Sequence, residues 1–335
     1  MPTTHFCRYM LKYMVALLPF LFISNIGMAQ KKDNTTKQIT VSQDGKGNFK
    51  TIQEAIDALR AYSPEHITIN IKNGVYHEKI IIPATVTNIS IEGESREGVI
   101  ITNDDYSGKF MNADTVNEKK KFSTFNSYTM HISGNDITIE HLTIKNGAGR
   151  VGQGVALHVD GDRFVINDCN LTGNQDTLLT ANDNSRQYYT NCFIEGTTDF
   201  IFGNATVVFK NCTIKSLTNS YVTAASTTQH QKFGYVFMNC KLIANEEAQK
   251  VYLGRPWRPY ARVVFMNCEL GKHIRPEGWH NWNKIENEGT AYYAEYKNTG
   301  EGAATDKRVS WCKQLTEDEA KEYTIQNIFN DWKPF

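Results

Sequence analysis

The residues best suited to chemistry are two aspartates that follow two cysteines at the same distance. Asp176 lies seven residues after Cys169, and Asp199 lies seven residues after Cys192. If the cysteines mark equivalent points of a repeat, the carboxylates lie on neighbouring repeat units, roughly 4.8 Å apart. Carboxylates that close perturb each other, so that one can hold a proton while the other stays ionised. The spacing therefore predicts a pair capable of acid–base and nucleophilic chemistry.

Three further polar residues fall near this pair. Arg255 lies 13 residues before a cysteine, as Asp199 does, which predicts that it stands in the Asp199 column two units onward. From there its guanidinium can hold the carboxylate ionised and oriented. Gln175 sits beside Asp176, and Gln153 lies one repeat length, 23 residues, before Asp176. Neutral amide donors beside a carboxylate pair are suited to stabilising a developing oxyanion.

Three classes of function remain open on this pattern. A glycoside hydrolase uses two carboxylates, which in a retaining enzyme lie about 5 Å apart. An esterase would use one carboxylate as nucleophile, the other as acid and base, and the amides as oxyanion donors. A non-catalytic repeat protein would only bind carbohydrate in the groove. The glutamines and Arg255 favour the esterase, but periodicity alone does not decide.

Short strands that repeat through the middle of the chain must position these residues. Five segments combine alternating apolar residues with a polar residue and a cysteine, at 165–171, 189–194, 209–214, 237–242 and 265–270. Their cysteines are 23, 20, 28 and 28 residues apart, a self-similarity typical of a solenoid. No helical pattern of 10–15 residues separates the strands, which argues against βαβ units. We therefore predict an all-β fold, a right-handed parallel β-helix.

The cysteines of the repeat are expected to form a buried column. We favour free thiols, because a chain this long needs no cross-links, although disulfides between neighbouring coils remain an alternative. No cysteine pair has the close spacing of a zinc site. His158, His230, His273 and His280 show no ligand spacing and are interpreted as structural or surface residues. No metal is predicted.

Short helices are predicted near both ends of the chain. Thr51 and Glu54 form a capping-box pattern before an apolar stripe, and Thr316 and Glu319 repeat it. Solenoid ends otherwise expose strand edges and core, so we expect these helices to cover them.

The N-terminus has the composition of an export signal. Arg8 and Lys12 precede an apolar run from 14 to 23, which is too short to span a bilayer and is followed by small residues at 27 and 29. The 36 Lys and Arg balance 36 Asp and Glu, which argues against a nucleic-acid partner. We expect a secreted or periplasmic protein, free of the membrane after cleavage. The predicted divisions are a signal peptide (1–29), a polar linker (30–38) and a single domain (39–335).

Several motifs together resemble the pectin methylesterase (pectinesterase) family, in the family's order, from about residue 38 to 313. The matching segments are Asp44 to Ile56, Gly74-Val75-Tyr76-His77-Glu78, Gln153-Gly154-Val155-Ala156-Leu157, Gln175-Asp176-Thr177-Leu178, Asp199-Phe200-Ile201-Phe202-Gly203, Leu253-Gly254-Arg255-Pro256-Trp257, Gly278-Trp279 and Glu295 to Gly300. The family fold is a right-handed parallel β-helix, in agreement with the repeat.

The resemblance implies a role for each residue of the cluster. Asp199 would attack the methyl ester carbonyl of a galacturonosyl unit, and Asp176 would protonate the departing methanol and then activate water. Gln153 and Gln175 would stabilise the oxyanion, and Arg255 would keep Asp199 charged.

The resemblance also implies a substrate, methyl-esterified homogalacturonan (pectin), and no metal or organic cofactor. Residues that would line the sugar groove are Trp257, Phe200, Tyr221 and Phe202. A polar insertion at 104–126 is expected beside the groove, and the protein is expected to be a monomer. An esterase acting on another esterified substrate is the alternative within the fold.

Overall fold

The computed structural model describes residues 37–111 and 120–334. The predicted signal peptide and residues 30–36 of the predicted linker lie outside this part of the chain. Lys37 and Gln38, the last two linker residues, already belong to the first strand, so the domain begins at 37 rather than 39. Over the described ranges, no helix is long and apolar enough to cross a membrane.

The chain winds through three sheets whose strand pairings are all parallel. With strands numbered in chain order, the eleven-stranded sheet A contains β1 (Lys37–Val41), β2 (Ile67–Ile71), β5 (Ile89–Gly93), β8 (Ile137–Glu140), β11 (Phe164–Asn167), β14 (Arg186–Thr190), β17 (Thr206–Lys210), β20 (Tyr235–Met238), β23 (Arg262–Met266), β25 (Tyr292–Tyr296) and β26 (Lys313–Gln314). Each coil contributes one strand to this sheet before moving to the next.

The other two sheets complete each coil. The eight-stranded sheet B contains β3 (Gly74–His77), β6 (Val99–Asn103), β9 (Thr143–Asn146), β12 (Asn170–Thr172), β15 (Phe193–Gly196), β18 (Thr213–Ser216), β21 (Lys241–Ala244) and β24 (Glu269–Leu270). The seven-stranded sheet C contains β4 (Ile80–Ile82), β7 (Met130–Ile132), β10 (Leu157–Val159), β13 (Leu178–Thr180), β16 (Ile201–Gly203), β19 (Tyr221–Ala225) and β22 (Tyr252–Gly254). This parallel β-helix is the predicted architecture.

Aromatic side chains stack in register along the interior face of sheet A. The rings of Phe209 and Phe237 lie 4.5 Å apart at 8°, and those of Phe237 and Phe265 lie 4.2 Å apart at 6°. Because the pairing is parallel, the same position of every coil faces the same neighbours. Each well-placed aromatic pair contributes about 0.5–1.5 kcal/mol beyond the area it buries.

The asparagine and cysteine of the repeat form the corner between sheets A and B. Asn191, Asn211, Asn239 and Asn267 have φ of 54–56°, a left-handed conformation that asparagine tolerates better than most residues. The cysteines that follow them are free and almost fully buried, which confirms the thiol prediction. Their thiols bond to backbone carbonyls, as Cys192 Sγ does to the carbonyl oxygen of Thr190 at 3.2 Å.

The N-terminal helix α1 (Ile52–Asp57) covers one end of the interior, as predicted. Its N-cap Thr51 and Glu54 form the capping box, and the buried Ile52 and Ile56 join the core. Three single-turn 3₁₀ helices occupy loops, at Thr124–Asn126, Ile285–Gly289 and Glu301–Ala303.

The C-terminal helices α2 (Glu317–Ala320) and α3 (Ile325–Phe329) have a different place from the one predicted. Ile328 and Phe329 pack with Val208 on the outer face of sheet A, so these helices brace a side of the β-helix and not its end. The last coil is closed instead by loop residues such as Trp311, which packs on Tyr293 at 5.6 Å. Tertiary packing of an apolar pair, invisible in a capping pattern, decides where such short helices lie.

Replacing Phe237 by Ala should lower the free energy of unfolding by about 3–5 kcal/mol, because it opens a cavity in the middle of a fully buried stack. Urea or guanidinium denaturation measures the loss. Ile285, which is 78% exposed, provides the control, and its change to Ala should cost no more than about 0.5 kcal/mol. Equal losses in the two variants would show that the stack does not support the fold.

Candidate active site

Asp176 and Asp199 occupy equivalent positions on neighbouring coils. Strand β13 pairs with β16 so that Leu178 faces Ile201, and each aspartate lies two residues before that pair. Both residues adopt left-handed backbone conformations, with φ of 66° and 50°. This stacking was the central geometric prediction, and the strand register confirms it.

Arg255 binds Asp199 through two hydrogen bonds. Its Nε donates to Oδ1 at 3.0 Å and its Nη2 donates to Oδ2 at 2.7 Å. The side chains are only 19% and 9% exposed, so little water competes for these bonds. A bidentate guanidinium–carboxylate pair fixes both the charge and the orientation of the carboxylate.

The register from which this contact was predicted is nevertheless wrong. Thr223 pairs with Gly254, so Arg255 stands one position further along, in line with Ala224 rather than with Asp199. Tyr221 and Tyr252 continue the Asp199 column. Counting from the cysteines fails because the 28-residue coils carry loops of unequal length before sheet C. The long arginine side chain reaches back diagonally to make the predicted contact.

Two aromatic rings enclose the guanidinium of Arg255. Its central carbon lies 3.9 Å from the ring centre of Tyr221 and 3.7 Å from that of Trp282. Desolvated cation–π contacts of this kind contribute about 2 kcal/mol. Trp282 was not found from the sequence, because it lies in a loop outside the repeats and no spacing connects it to Arg255.

Gln153 and Gln175 lie side by side on neighbouring coils. They form an isolated parallel bridge, so Gln153 is in register with Gln175 and not, as the spacing of 23 suggested, with Asp176. The backbone N–H of Gly154 donates to the carbonyl of Gln175 at 3.0 Å. Both glutamines line the same cleft as the aspartates, and within the described residues neither side-chain amide has a hydrogen-bond partner. Their N–H groups therefore remain available to a ligand.

The two carboxyl groups have different electrostatic surroundings. Burial, reinforced by the charge of Asp199 and opposed by Arg255, raises the pKa of Asp176 to about 8. Burial also raises the pKa of Asp199, but the hydrogen bonds and charge of Arg255 act in the opposite direction. Near neutral pH the favoured state is a protonated Asp176 beside an ionised Asp199.

The cleft places some of the predicted sugar-binding residues but not others. It is lined by Thr124, Phe125, Gln153, Gln175, Asp176, Asp199, Phe202, Ala224, Arg255, Trp257 and Trp282. The rings of Trp257 and Phe202 lie 6.0 Å apart on one side of it. Thr124 and Phe125 belong to the 104–126 insertion, so its described end does lie beside the groove, whereas residues 112–119 lie outside the described residues.

Phe200 and Tyr221 require correction. Phe200 is fully buried in the hydrophobic interior, because the chain turns inward immediately after Asp199, and its ring is unavailable to a sugar. Tyr221 stacks on Tyr252 at 5.3 Å and faces Arg255, so it supports the guanidinium instead of lining the cleft.

The fold and this cleft define an enzyme of the β-helical class whose chemistry depends on a carboxylate pair. A family model described as Pectinesterase matches residues 38–331. Pectinesterase 31 of Arabidopsis thaliana is 34% identical over 299 residues, which cover 89% of this chain and 93% of that protein.

Solved structures agree with the family model. The pectin methylesterase from carrot superposes with a TM-score of 0.82 at 35% identity, covering 88% of this chain and 93% of that one. A pectin methylesterase in complex with a hexasaccharide superposes with a TM-score of 0.76 at 32% identity, covering 90% and 99%. The chain therefore belongs to the pectinesterase family, a right-handed parallel β-helix fold, and is a carboxylic ester hydrolase.

Replacing Asp176 by Asn should stabilise the protein at pH 8 relative to wild type, by a margin that shrinks toward pH 4. The folded-state pKa of Asp176 is raised from 3.8 to about 8, so wild type loses stability as the pH rises through this interval and the buried carboxyl must ionise. Asn stays neutral, and the margin should be at least about 1 kcal/mol larger at pH 8 than at pH 4.

Urea denaturation at the two pH values measures this margin. Asp318, whose side chain is 91% exposed, provides the control, because its change to Asn relieves no buried charge. A margin for Asp176→Asn that does not change with pH would contradict the raised pKa.

Proposed function

We propose that this chain hydrolyses the methyl esters of galacturonosyl units in pectin, releasing methanol and leaving demethylated pectate. Family membership and the resemblance to a hexasaccharide-bound pectin methylesterase support the substrate. The observation that carries the proposal is the asymmetric pair, in which Asp199 alone is bound by Arg255 and Asp176 has its pKa raised to about 8.

In the first half-reaction, a carboxylate oxygen of Asp199 attacks the ester carbonyl carbon. The carbonyl electron pair moves to oxygen, where the amides of Gln153 and Gln175 donate hydrogen bonds to the oxyanion. As the tetrahedral intermediate collapses, Asp176 gives its proton to the methoxy oxygen and methanol leaves. The product is an anhydride between Asp199 and the galacturonosyl carboxyl group.

In the second half-reaction, Asp176 is a carboxylate and acts as a general base. It takes a proton from a water molecule whose oxygen attacks the galacturonosyl carbonyl of the anhydride. The same amides stabilise the second oxyanion, and its collapse releases Asp199 as a carboxylate and the galacturonic acid unit. Asp176 ends protonated, so one ester and one water give one acid and one methanol.

The groove and the export signal complete the proposal. Trp257 and Phe202 offer half-buried and buried ring surface beside the carboxylates, suited to packing against a sugar ring. The sequence features of residues 1–29 support a secreted or periplasmic enzyme that acts as a monomer on a polysaccharide outside the cytoplasm. A glycoside hydrolase is less well supported, because an arginine clamp on the nucleophile and two open amide donors suit acyl transfer.

Methanol release from highly methylated pectin tests the proposed reaction. Asp199→Ala should reduce kcat by at least about 10³-fold, because no other nucleophile faces the cleft. Asp176→Asn should reduce it by about 10²–10⁴-fold, the usual contribution of a general acid. Asp168→Asn is the control, because that aspartate binds Arg96 in a turn away from the cleft, and its activity should match wild type. New reducing ends in place of methanol would instead identify a glycoside hydrolase.

Trp282 should act on the reaction through Arg255. Trp282→Ala exposes one face of the guanidinium to water and weakens its hold on Asp199, so kcat should fall by about 10-fold and Trp282→Phe should restore most of it. Because Arg255 lowers the pKa of Asp199, the acidic limb of the pH–rate profile should move to higher pH in Trp282→Ala. A raised KM with an unmoved acidic limb would make Trp282 a sugar contact only.

A further inference from the structure

Two histidines from neighbouring coils stack on sheet C, apart from the catalytic carboxylates. His131 on β7 pairs in register with His158 on β10, and their rings lie 4.2 Å apart at 23°. Asp160 follows β10 and turns its carboxylate to both rings, with Oδ2 3.1 Å from His131 Nε2 and 4.0 Å from His158 Nε2. None of the three takes part in the proposed ester hydrolysis.

The three donor atoms have the spacing of a nearly formed metal site. They all lie within 4.8 Å of one another. Around a tetrahedral zinc ion, with bonds of about 2.0–2.2 Å, neighbouring donor atoms stand roughly 3.3–3.5 Å apart. Movement of each ring by less than about 1 Å would bring the donors to that separation, which rotation of side chains can provide.

Burial sets this cluster apart from an ordinary surface His–Asp pair. His158 is only 8% exposed, and its Nδ1 has no hydrogen-bond partner among the described residues. A buried imidazole with an unmatched nitrogen is costly, and the register holds it against a second imidazole that offers it no charge partner. The side chains of His131 and Asp160 are 20% and 32% exposed, so an ion can enter from solvent.

We propose that His131, His158 and Asp160 bind one divalent transition-metal ion of the Zn²⁺ class. Two imidazoles and one carboxylate suit Zn²⁺, Co²⁺, Ni²⁺ or Cu²⁺, whereas Ca²⁺ and Mg²⁺ require six or more oxygen ligands. Three protein ligands leave a coordination position for water. The Oγ of Ser133, 3.2 Å from His131 Nε2, lies in the second shell of the ion.

The ion would join two successive coils next to the catalytic groove. His158 pairs with Leu179 of β13, and Asp160 is one residue beyond the pair of Val159 and Thr180. Leu179 and Ala181 line the groove wall that also contains Trp257. The bound ion therefore stabilises the coil that precedes the catalytic carboxylates. The sequence concealed the site because 27 residues separate the two histidines, and only the register brings them together.

Calorimetric titration of the chelator-treated protein with Zn²⁺ alone tests the site. Wild type should bind one equivalent, and Asp160→Asn and His131→Gln should each weaken binding by at least about 10-fold. The control is His230→Gln, because His230 also lies beside an aspartate, Asp183, at 3.3 Å, but has no second imidazole. It should bind as wild type does. Absence of saturable binding by wild type, or equal binding by wild type and Asp160→Asn, overturns the proposal.

Two further readouts do not depend on catalysis. Because an ion that binds only the folded state stabilises it, Zn²⁺ should raise the Tm of wild type and of His230→Gln and leave that of Asp160→Asn unchanged. If a variant fails to fold, X-ray absorption of zinc-loaded wild type decides, with an expected first shell containing two imidazoles. A shell of water oxygens alone, or one containing sulfur, overturns the proposal.

Discussion

Backbone hydrogen bonds between parallel strands hold each coil in register with the next, and every other feature of the molecule follows from that register. The same position of successive coils meets its own counterpart, so phenylalanines stack on phenylalanines and cysteines follow cysteines. The interior is thereby filled by columns of like residues, which pack densely without any long-range helix packing. Outside the interior, the same rule places Asp176 beside Asp199.

Equivalent positions would normally make the two aspartates chemically equivalent, and the site depends on breaking that symmetry. Both are buried, which by itself raises both pKa values. Arg255 makes its two hydrogen bonds to Asp199 only, so the negative charge settles there and increases the proton affinity of Asp176. Burying a guanidinium is costly unless its faces and its donors are matched, and Tyr221 and Trp282 cover the faces.

Sequence reasoning succeeded where the register alone decides. The Asp176–Asp199 pair, the buried thiols and α1 each depend on a local pattern or on one step between adjacent coils. It failed where a residue follows a loop, because loop length shifts the count, and Arg255 reaches Asp199 from a position that the cysteine spacing misplaces.

Other failures have a different physical origin. Phe200 points inward because the turn after Asp199 reverses the face of the chain, a change that strand alternation does not encode. The C-terminal helices follow an apolar contact with sheet A and not their caps. His131 and His158 meet only across coils, so no local spacing announces them.

The unequal coil lengths divide the molecule into a conserved geometry and an adjustable one. The coil between Cys192 and Cys212 is only 20 residues long, yet it carries Asp199, because the floor of the cleft needs nothing more than the strands and their turns. The walls come from longer excursions, which supply Phe125, Trp257 and Trp282. A change in loop length can therefore reshape the walls without moving the carboxylates, since the backbone ladder holds the floor independently. Selection among esterified sugars thus resides in the loops, whereas the acid–base chemistry resides in the register.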